Sequence, residues 1–420
     1  MLGIAVAVLV LTLIAAVIGG PARDIAPLPW AVLALLAAGD LVLSMRRRMP
    51  LEHKLPPEVF VGEDVALELR LPDAPPGLGL RIAWPEGLTG PDDVDFTGDA
   101  ARVTCRATRR GTWAFTELWL HWVSRLKLFE FVPKLRFEAE IRVVPNIRLV
   151  QSGQITTTVV STLFGVKENR AIGEGSEFHQ LRDFVSGMDV KTIDWKRSAR
   201  KRALVAKELR AERNHHVILA IDNGYLMREE IAGLPKIDHA VTAALATAWA
   251  AAIGGDLVGH YSYDVQPRAF AKPEPGRTAF ARLRSWTAEL DYVSRETNHT
   301  LALTELNART PKRSLIIIFT DFVDSNSAEL LIENIGILAK RHLLIFVAIR
   351  DPEVEALVEQ APDHMDGVAT LVAANQTISE RRLVLERLSR LGVTIVDAKP
   401  GQVTSRLISA YLEIKARELI

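Results

Sequence analysis

Two aspartates, Asp222 and Asp321, each stand directly after a short apolar run, His216 to Ile221 and Ser314 to Thr320. Runs of that length and composition read as buried strands of a parallel sheet. In an open α/β sheet the carboxyl ends of the strands form the ligand-binding edge. Two carboxylates at such an edge offer the hard oxygen ligands that suit Mg²⁺. Asp194 is a third carboxylate open to a metal-dependent enzyme. The competing role for Asp222 and Asp321 is to cap the turn or helix that follows each strand.

Other chemistry finds less support. His215 and His216 enter a strand with no third histidine or matching carboxylate nearby in sequence, so a structural role is expected. No nucleophile-elbow motif frames a serine. No Gly-x-x-x-x-Gly-Lys-Ser/Thr loop is present, so any ATP hydrolysis must come from a partner. The single cysteine, Cys105, excludes an internal disulfide and a cysteine-based zinc site and suits a reducing compartment. The 420 residues carry 51 basic and 51 acidic side chains, a balance that gives no reason to expect nucleic acid as a partner.

The elements that position the two aspartates are predicted from about residue 214 onward. Helices over about 237–253, 328–341, 378–391 and 402–418 alternate with strands over 216–221, 256–263, 314–320, 342–349 and 393–396. That alternation predicts a doubly wound parallel sheet covered on both faces. Residues 51–150 differ. Val65, Leu67, Leu69 and Leu71 alternate with polar or small residues, Val103 and Cys105 share one face, and Trp113, Phe115, Leu118, Leu120 and Trp122 follow in strand-like order. Pro- and Gly-rich clusters such as 73–77 separate these runs, which predicts a small β-sandwich with the aromatics in its core.

The first 45 residues predict a transmembrane helical hairpin. Leu2 to Gly20 carries no charge, and a second apolar stretch runs from Ile25 to about Ser44, with Pro27, Pro29 and Trp30 at its start. Asp40 is expected near the headgroups, where its cost is smaller than at mid-bilayer. A cleaved signal peptide is the alternative for the first stretch, but no basic residue precedes it. Arg46, Arg47 and Arg48 follow the second stretch. By the positive-inside rule they place the remainder on the cytoplasmic side of a cell membrane, and they could also meet anionic headgroups.

The loop Asp222-Asn223-Gly224-Tyr225-Leu226 resembles the Asp-x-Ser-x-Ser loop of the von Willebrand factor A fold's metal-ion-dependent adhesion site. The aspartate is kept, while Gly224 and Leu226 stand at the serine positions. Asp321 matches the third-loop aspartate, and Thr278, in Gly276-Arg277-Thr278, takes the threonine's place by position. The resemblance implies an A-like domain over 214–420, with an eroded metal site at Asp222, Asp321 and Thr278.

The segment 151–213 is dense in charges, Gly and aromatics without amphipathic period, and Phe178, Phe184, Ile193 and Trp195 are expected to be buried in it. Gly173-Glu174-Gly175-Ser176-Glu177-Phe178 is followed by Leu181-Arg182-Asp183-Phe184 and by Gly187-Met188-Asp189-Val190. Then come Ile193-Asp194-Trp195, Ala199-Arg200 and Glu208. This series closely resembles the signature of domain-of-unknown-function family 58. Met188 and Lys191 depart from it, standing where the family usually has Asp and near its usual Arg. The resemblance makes Gly173, Gly175, Glu177, Phe178, Arg182, Gly187, Asp194, Trp195, Ala199, Arg200 and Glu208 a docking signature. It further implies a non-enzymatic, membrane-tethered adaptor working with a MoxR-type AAA+ ATPase on a client protein. A metal-dependent enzyme and a structural scaffold of the cell envelope are the alternatives.

Overall fold

The computed structural model describes residues 9, 10, 12, 14, 28–45, 50–153, 177–185, 187–210, 215–323, 325, 328–359 and 365–417. The chain divides into two compact units, Met1–Val144 and Pro145–Ile420.

In the N-terminal unit, helix α1 covers Leu28–Ser44. Its 17 residues reach about 26 Å, short of the roughly 30 Å of a hydrocarbon core. Among the described residues no helix is long and apolar enough to cross a membrane. The expected transmembrane hairpin is therefore not supported. Most of the first predicted span, and Arg46, Arg47 and Arg48, lie outside the described residues.

Asp40 also departs from expectation. It is buried rather than solvated. Its Oδ1 accepts from the Leu126 backbone N–H at 3.0 Å and from the Ser44 hydroxyl at 3.2 Å. Ser44 in turn accepts from the Arg125 N–H through its Oγ and from the Trp122 indole through its carbonyl. The last turn of α1 is thus tied to one loop of the β-structure.

That β-structure comprises β1 (Glu52–Lys54), β2 (Glu58–Phe60), β3 (Asp64–Arg70), β4 (Gly79–Ile82), β5 (Leu88–Thr89), β6 (Asp93–Asp95), β7 (Ala100–Ala107), β8 (Gly111–Val123), β9 (Glu130–Phe131) and β10 (Lys134–Val144). One sheet has the order β1-β3-β7-β5 and the other β2-β10-β8-β4-β6, with β9 on β8. The predicted alternation is realised: Val65, Leu67 and Leu69 of β3 and Val103 and Cys105 of β7 point inward while their neighbours face out. The rings of His53 on β1 and Phe137 on β10 meet edge to face across the two sheets.

The C-terminal unit opens with α2 (Arg148–Gln151). A small folded segment follows: β11 (Glu177–Asp183), α3 (Trp195–Lys201) and β12 (Val205–Arg210), with the two strands antiparallel. The remainder is β13 (His216–Asp222), the two-residue strands β14 (Glu230–Ile231) and β15 (Leu234–Pro235), α4 (Lys236–Ile253), β16 (Leu257–Tyr263), β17 (Pro267–Pro275), α5 (Gly276–Ala288), α6 (His299–Arg309), β18 (Leu315–Phe319), α7 (Glu329–Ala339), β19 (Leu343–Ile349), α8 (Pro352–Glu359), α9 (Met365–Arg390), β20 (Thr394–Ala398) and α10 (Pro400–Ala416).

The main sheet has the order β17-β16-β13-β18-β19-β20, parallel except for the edge strand β17. Its central strands are buried on both faces, which explains their unbroken apolar sequence. Ile218, Ile316 and Phe346 pack with Leu303 and Leu306 of α6, Leu331 and Ile335 of α7 and Leu388 of α9. On the other face α4, α5 and α10 cover the sheet. The parallel doubly wound sheet expected from sequence is present. The sequence reading had no counterpart for β17, α5, α6 or α8.

Burial pushes the Cys105 thiol up to about 11. At pH 8 the native chain should therefore hold only ~0.1% thiolate at that position. A disulfide reagent such as Ellman's should not titrate it within an hour, and should titrate one thiol per chain in denaturant.

Candidate functional site at the carboxyl edge of the main sheet

Numbering the main-sheet strands by chain order gives 3-2-1-4-5-6, so the direction of winding reverses between β13 and β18. The crevice at such a switch point is where ligands bind in open α/β sheets. Asp222 ends β13, and Asp321 lies two residues beyond β18. The two sequence-predicted aspartates therefore flank the switch point.

The Asp222 carboxylate is enclosed. Oδ1 accepts from the Gly224 N–H at 2.8 Å and the Thr297 hydroxyl at 2.6 Å, and Oδ2 from the Thr320 hydroxyl at 2.5 Å. Burial pushes its pKa up, against the lowering effects of His299, these hydroxyls and the Gly224 amide. The His299 imidazole is pushed down by its own burial, against the field of Asp222.

The Asp321 carboxylate is held by two cations. Oδ2 meets the Lys236 ammonium at 2.5 Å, and Oδ1 meets the Arg381 guanidinium at 2.9 Å and the Phe322 N–H at 3.0 Å. Lys236 also pairs with Glu229, and Arg381 with Asp397 at 3.1 Å. Burial works to lower the Lys236 pKa, but Asp321 and Glu229 prevail and hold it above the ordinary value. The same balance, with Asp321 and Asp397, raises Arg381.

Mg²⁺ does not fit this donor set. The ion would have to displace an ammonium and a guanidinium from Asp321 and three hydrogen bonds from Asp222. A Cβ at Gly224 would collide with the Thr297 hydroxyl, so a serine there would have to displace the Thr297 side chain from Asp222. Thr278 is on the wrong side of the sheet. β17 runs antiparallel to β16 and pairs Pro275 with Leu257, so Thr278, at the start of α5, begins at the amino edge. Asp222 pairs with Tyr263 at the carboxyl edge, six residues and about 20 Å further along the strand. Asp194 is not at this edge either: it caps α3, accepting from the Arg197 N–H at 3.1 Å.

Sequence reasoning missed Thr297, Thr320, Lys236, Arg381 and His299. One signal was available for Lys236. A lysine as the first residue of a helix opposes the helix dipole, so it requires a local anion. Thr297 and His299 sit in the polar run Arg295-Glu296-Thr297-Asn298-His299-Thr300, in which Asn298 caps α6.

Beside Asp321 lies a groove of about 770 Å³ between the sheet edge, α8 and α9. Phe322, Val323, Val354, Ile378 and Leu385 give it an apolar floor, and Arg382 stands on its rim. A smaller cavity of about 290 Å³ adjoins Thr297, His299 and Asp321.

The signature residues map onto the β11–α3–β12 segment, except Gly173 and Gly175, which lie outside the described residues. Glu177, Phe178 and Arg182 are on β11, facing Arg210, Leu209 and Ala206 of β12, and Glu208 faces Gln180. The side chains of Glu177, Phe178 and Glu208 are outside the described set. Gly187 has φ +106°, which favours glycine. Ile193 is buried as expected and Phe184 half-buried. Trp195 is not: it is 64% exposed at the first position of α3, where only Ser198, one turn on, is buried against the strands. Ala199 and Arg200 are exposed on the same short helix. Within the segment Asp183 pairs with Lys201 at 3.0 Å and Asp194 with Lys207 at 3.6 Å.

Replacing Lys236 by Met leaves Oδ2 of the buried Asp321 carboxylate unpaired, with Arg381 and the Phe322 N–H both on Oδ1. The expected loss is about 3–5 kcal/mol in denaturant unfolding, and the double replacement Lys236→Met/Asp321→Leu should recover much of it. Because the folded Lys236 pKa is raised, its contribution is complete below about pH 10 and lost as pH rises through the folded value. Titration calorimetry with millimolar Mg²⁺ should give no binding heat.

Among solved structures the chain is similar to the conserved hypothetical protein BatB from Bacteroides thetaiotaomicron, at 14% identity and a TM-score of 0.32, over 49% of this chain and 97% of that one. It is also similar to proximal thread matrix protein 1 from the mussel byssus, at 9% identity and a TM-score of 0.27, over 48% of this chain and 46% of that one. No curated protein matches. Residues 180–381, which hold most of the signature segment and all of the Asp222/Asp321 edge, match the family described as "Protein of unknown function DUF58".

Proposed function

We propose that the chain is a non-enzymatic, membrane-anchored adaptor or scaffold whose C-terminal unit docks protein partners. Its partner in this reading is a MoxR-type AAA+ ATPase, and the pair acts in assembly or activation of a client protein. The observation that carries the docking reading is Trp195. A tryptophan left 64% exposed on a folded element is the residue type most enriched at binding hot spots. Val185, Val190 and Leu204 are exposed on the same small segment, which is held together by hydrogen bonds from the Phe184 N–H to Leu204 and from the Asp194 N–H to Val205. Lys196 and Arg200 supply positive charge beside the tryptophan.

The non-enzymatic part is supported by the closure of both edge carboxylates, Asp222 by neutral donors and Asp321 by cations. A von Willebrand factor A-like reading of residues 214–420 is supported by the position of these two aspartates at the switch point. The ATPase partner is supported by the resemblance of the signature segment and by the lack of a phosphate-binding loop in this sequence. The membrane anchor, with the large units on the cytoplasmic side, is supported by the uncharged stretch Leu2–Gly20, the apolar α1 and the arginines that follow it.

Capture of the MoxR-type ATPase encoded in the same genome by the full-length chain, with and without ATP, tests this reading. Nucleotide-dependent capture is expected, and Trp195→Ala should weaken it at least tenfold with an unchanged melting temperature. Stable complexes indifferent to nucleotide would instead favour an envelope scaffold, and no capture would remove the ATPase from the proposal.

A further inference from the structure

We infer that the loop Ser124–Phe129 of the N-terminal unit is a second membrane contact, one that lays Leu126 and two cationic side chains on an anionic lipid surface. The inference rests on the membrane-anchored part of the reading above. It begins from α1, whose apolar side chains are exposed around nearly the whole circumference: Leu35, Leu36, Leu41, Val42 and Leu43 all face out. A helix that is apolar all round belongs in hydrocarbon or in a protein core, and the described residues supply no such core for it.

The loop is fixed to the last turn of that helix. The Leu126 N–H donates to Asp40 and the Arg125 N–H to Ser44. Wherever the end of α1 sits relative to a bilayer, Leu126 sits at the same level. Leu126 is 52% exposed, in the same range as Val123 and Val132 on either side of the loop, so exposed apolar side chains are present on the β-structure as well as on the last turns of α1 that the loop is tied to. Within the loop, Ser124 accepts from the N–H groups of Leu128 and Phe129, and Lys127 adopts φ +57°. The backbone is thereby shaped from within, and Arg125, Leu126 and Lys127 are all left exposed.

Arg125 and Lys127 form no side-chain ion pair or hydrogen bond among the described residues. An apolar residue between two unpaired cations, at the end of an apolar helix, complements the boundary where hydrocarbon gives way to anionic headgroups. A protein partner would satisfy the apolar residues equally well, but it would not account for an apolar helix circumference ending at a pair of cations.

The single native cysteine is buried, so a cysteine placed at 126 can be labelled alone. The full-length chain carrying Leu126→Cys with an environment-sensitive fluorophore is reconstituted with vesicles of phosphatidylcholine, with or without phosphatidylserine, containing headgroup-level spin-labelled lipid. The reference is Glu86→Cys. Glu86 contacts Arg109, just before β8, whereas Ser124 follows β8, so the 13 residues of that strand, about 40 Å, separate the two probes.

The expected result is a blue shift and quenching at 126 but not at 86, stronger with phosphatidylserine. Arg125→Glu and Lys127→Glu should each lower the anionic preference about fivefold. A probe at 126 quenched no more than the one at 86, in protein that still floats with the vesicles, overturns this inference and leaves the anchor standing. Failure to float overturns both. Equal quenching on neutral and anionic vesicles, untouched by either charge reversal, overturns the assignment of an anionic surface.

Discussion

The contact between the Lys236 ammonium and the Asp321 carboxylate is the one on which the C-terminal unit's carboxyl edge depends. A buried carboxylate costs several kcal/mol unless paired. This one sits at the point where the winding of the sheet reverses and no strand-to-strand packing can cover it. Lys236 reaches it from the start of α4, and Arg381 from α9, which comes in from the opposite face of the sheet. The two cations therefore fasten one helix from each layer to the two oxygens of one carboxylate. Arg381 continues to Asp397 on β20 and to the Ile349 carbonyl on β19, so the network extends across the outer half of the sheet. Two internal cations stand at the carboxylate that the sequence offered to a divalent ion.

This arrangement explains which parts of the site were legible in the sequence. Asp222 and Asp321 announced themselves because each follows a run of residues that can only be a buried strand. Their partners did not, since hydroxyls, a lysine and an arginine distant in sequence carry no periodic signal. Thr278 was misplaced for a topological reason. The chain makes an antiparallel return along β17 before α5, so a residue close to Asp222 by order along the chain ends at the far side of the sheet. Thr297, about twenty residues later, arrives at the proper edge because α5 carries the chain back.

The β-structure was more readable, because alternation at period two states both the element and its inward face. Val65, Leu67, Leu69, Val103 and Cys105 all point where alternation put them. Asp40 and Trp195 were misread for opposite reasons. Asp40 looked like a charge in need of water, and instead receives backbone and hydroxyl donors from a loop some 86 residues away. Trp195 looked like a core residue by type, but it stands at the first position of a short helix whose one buried side chain is Ser198, bonded to Val205, and it is left exposed. Neither outcome depends on the local sequence; both are decided by what lies opposite.

The edge strand β17 carries Pro267, Pro273 and Pro275. Proline has no N–H to give to a ladder and suits an edge strand, and Gly259 lets the Pro273 region press close against β16. The side of the sheet that most resembles a template for growth is thus chemically capped. The prolines work against the zipping of copies along that border and against the addition of an extended peptide there as another strand.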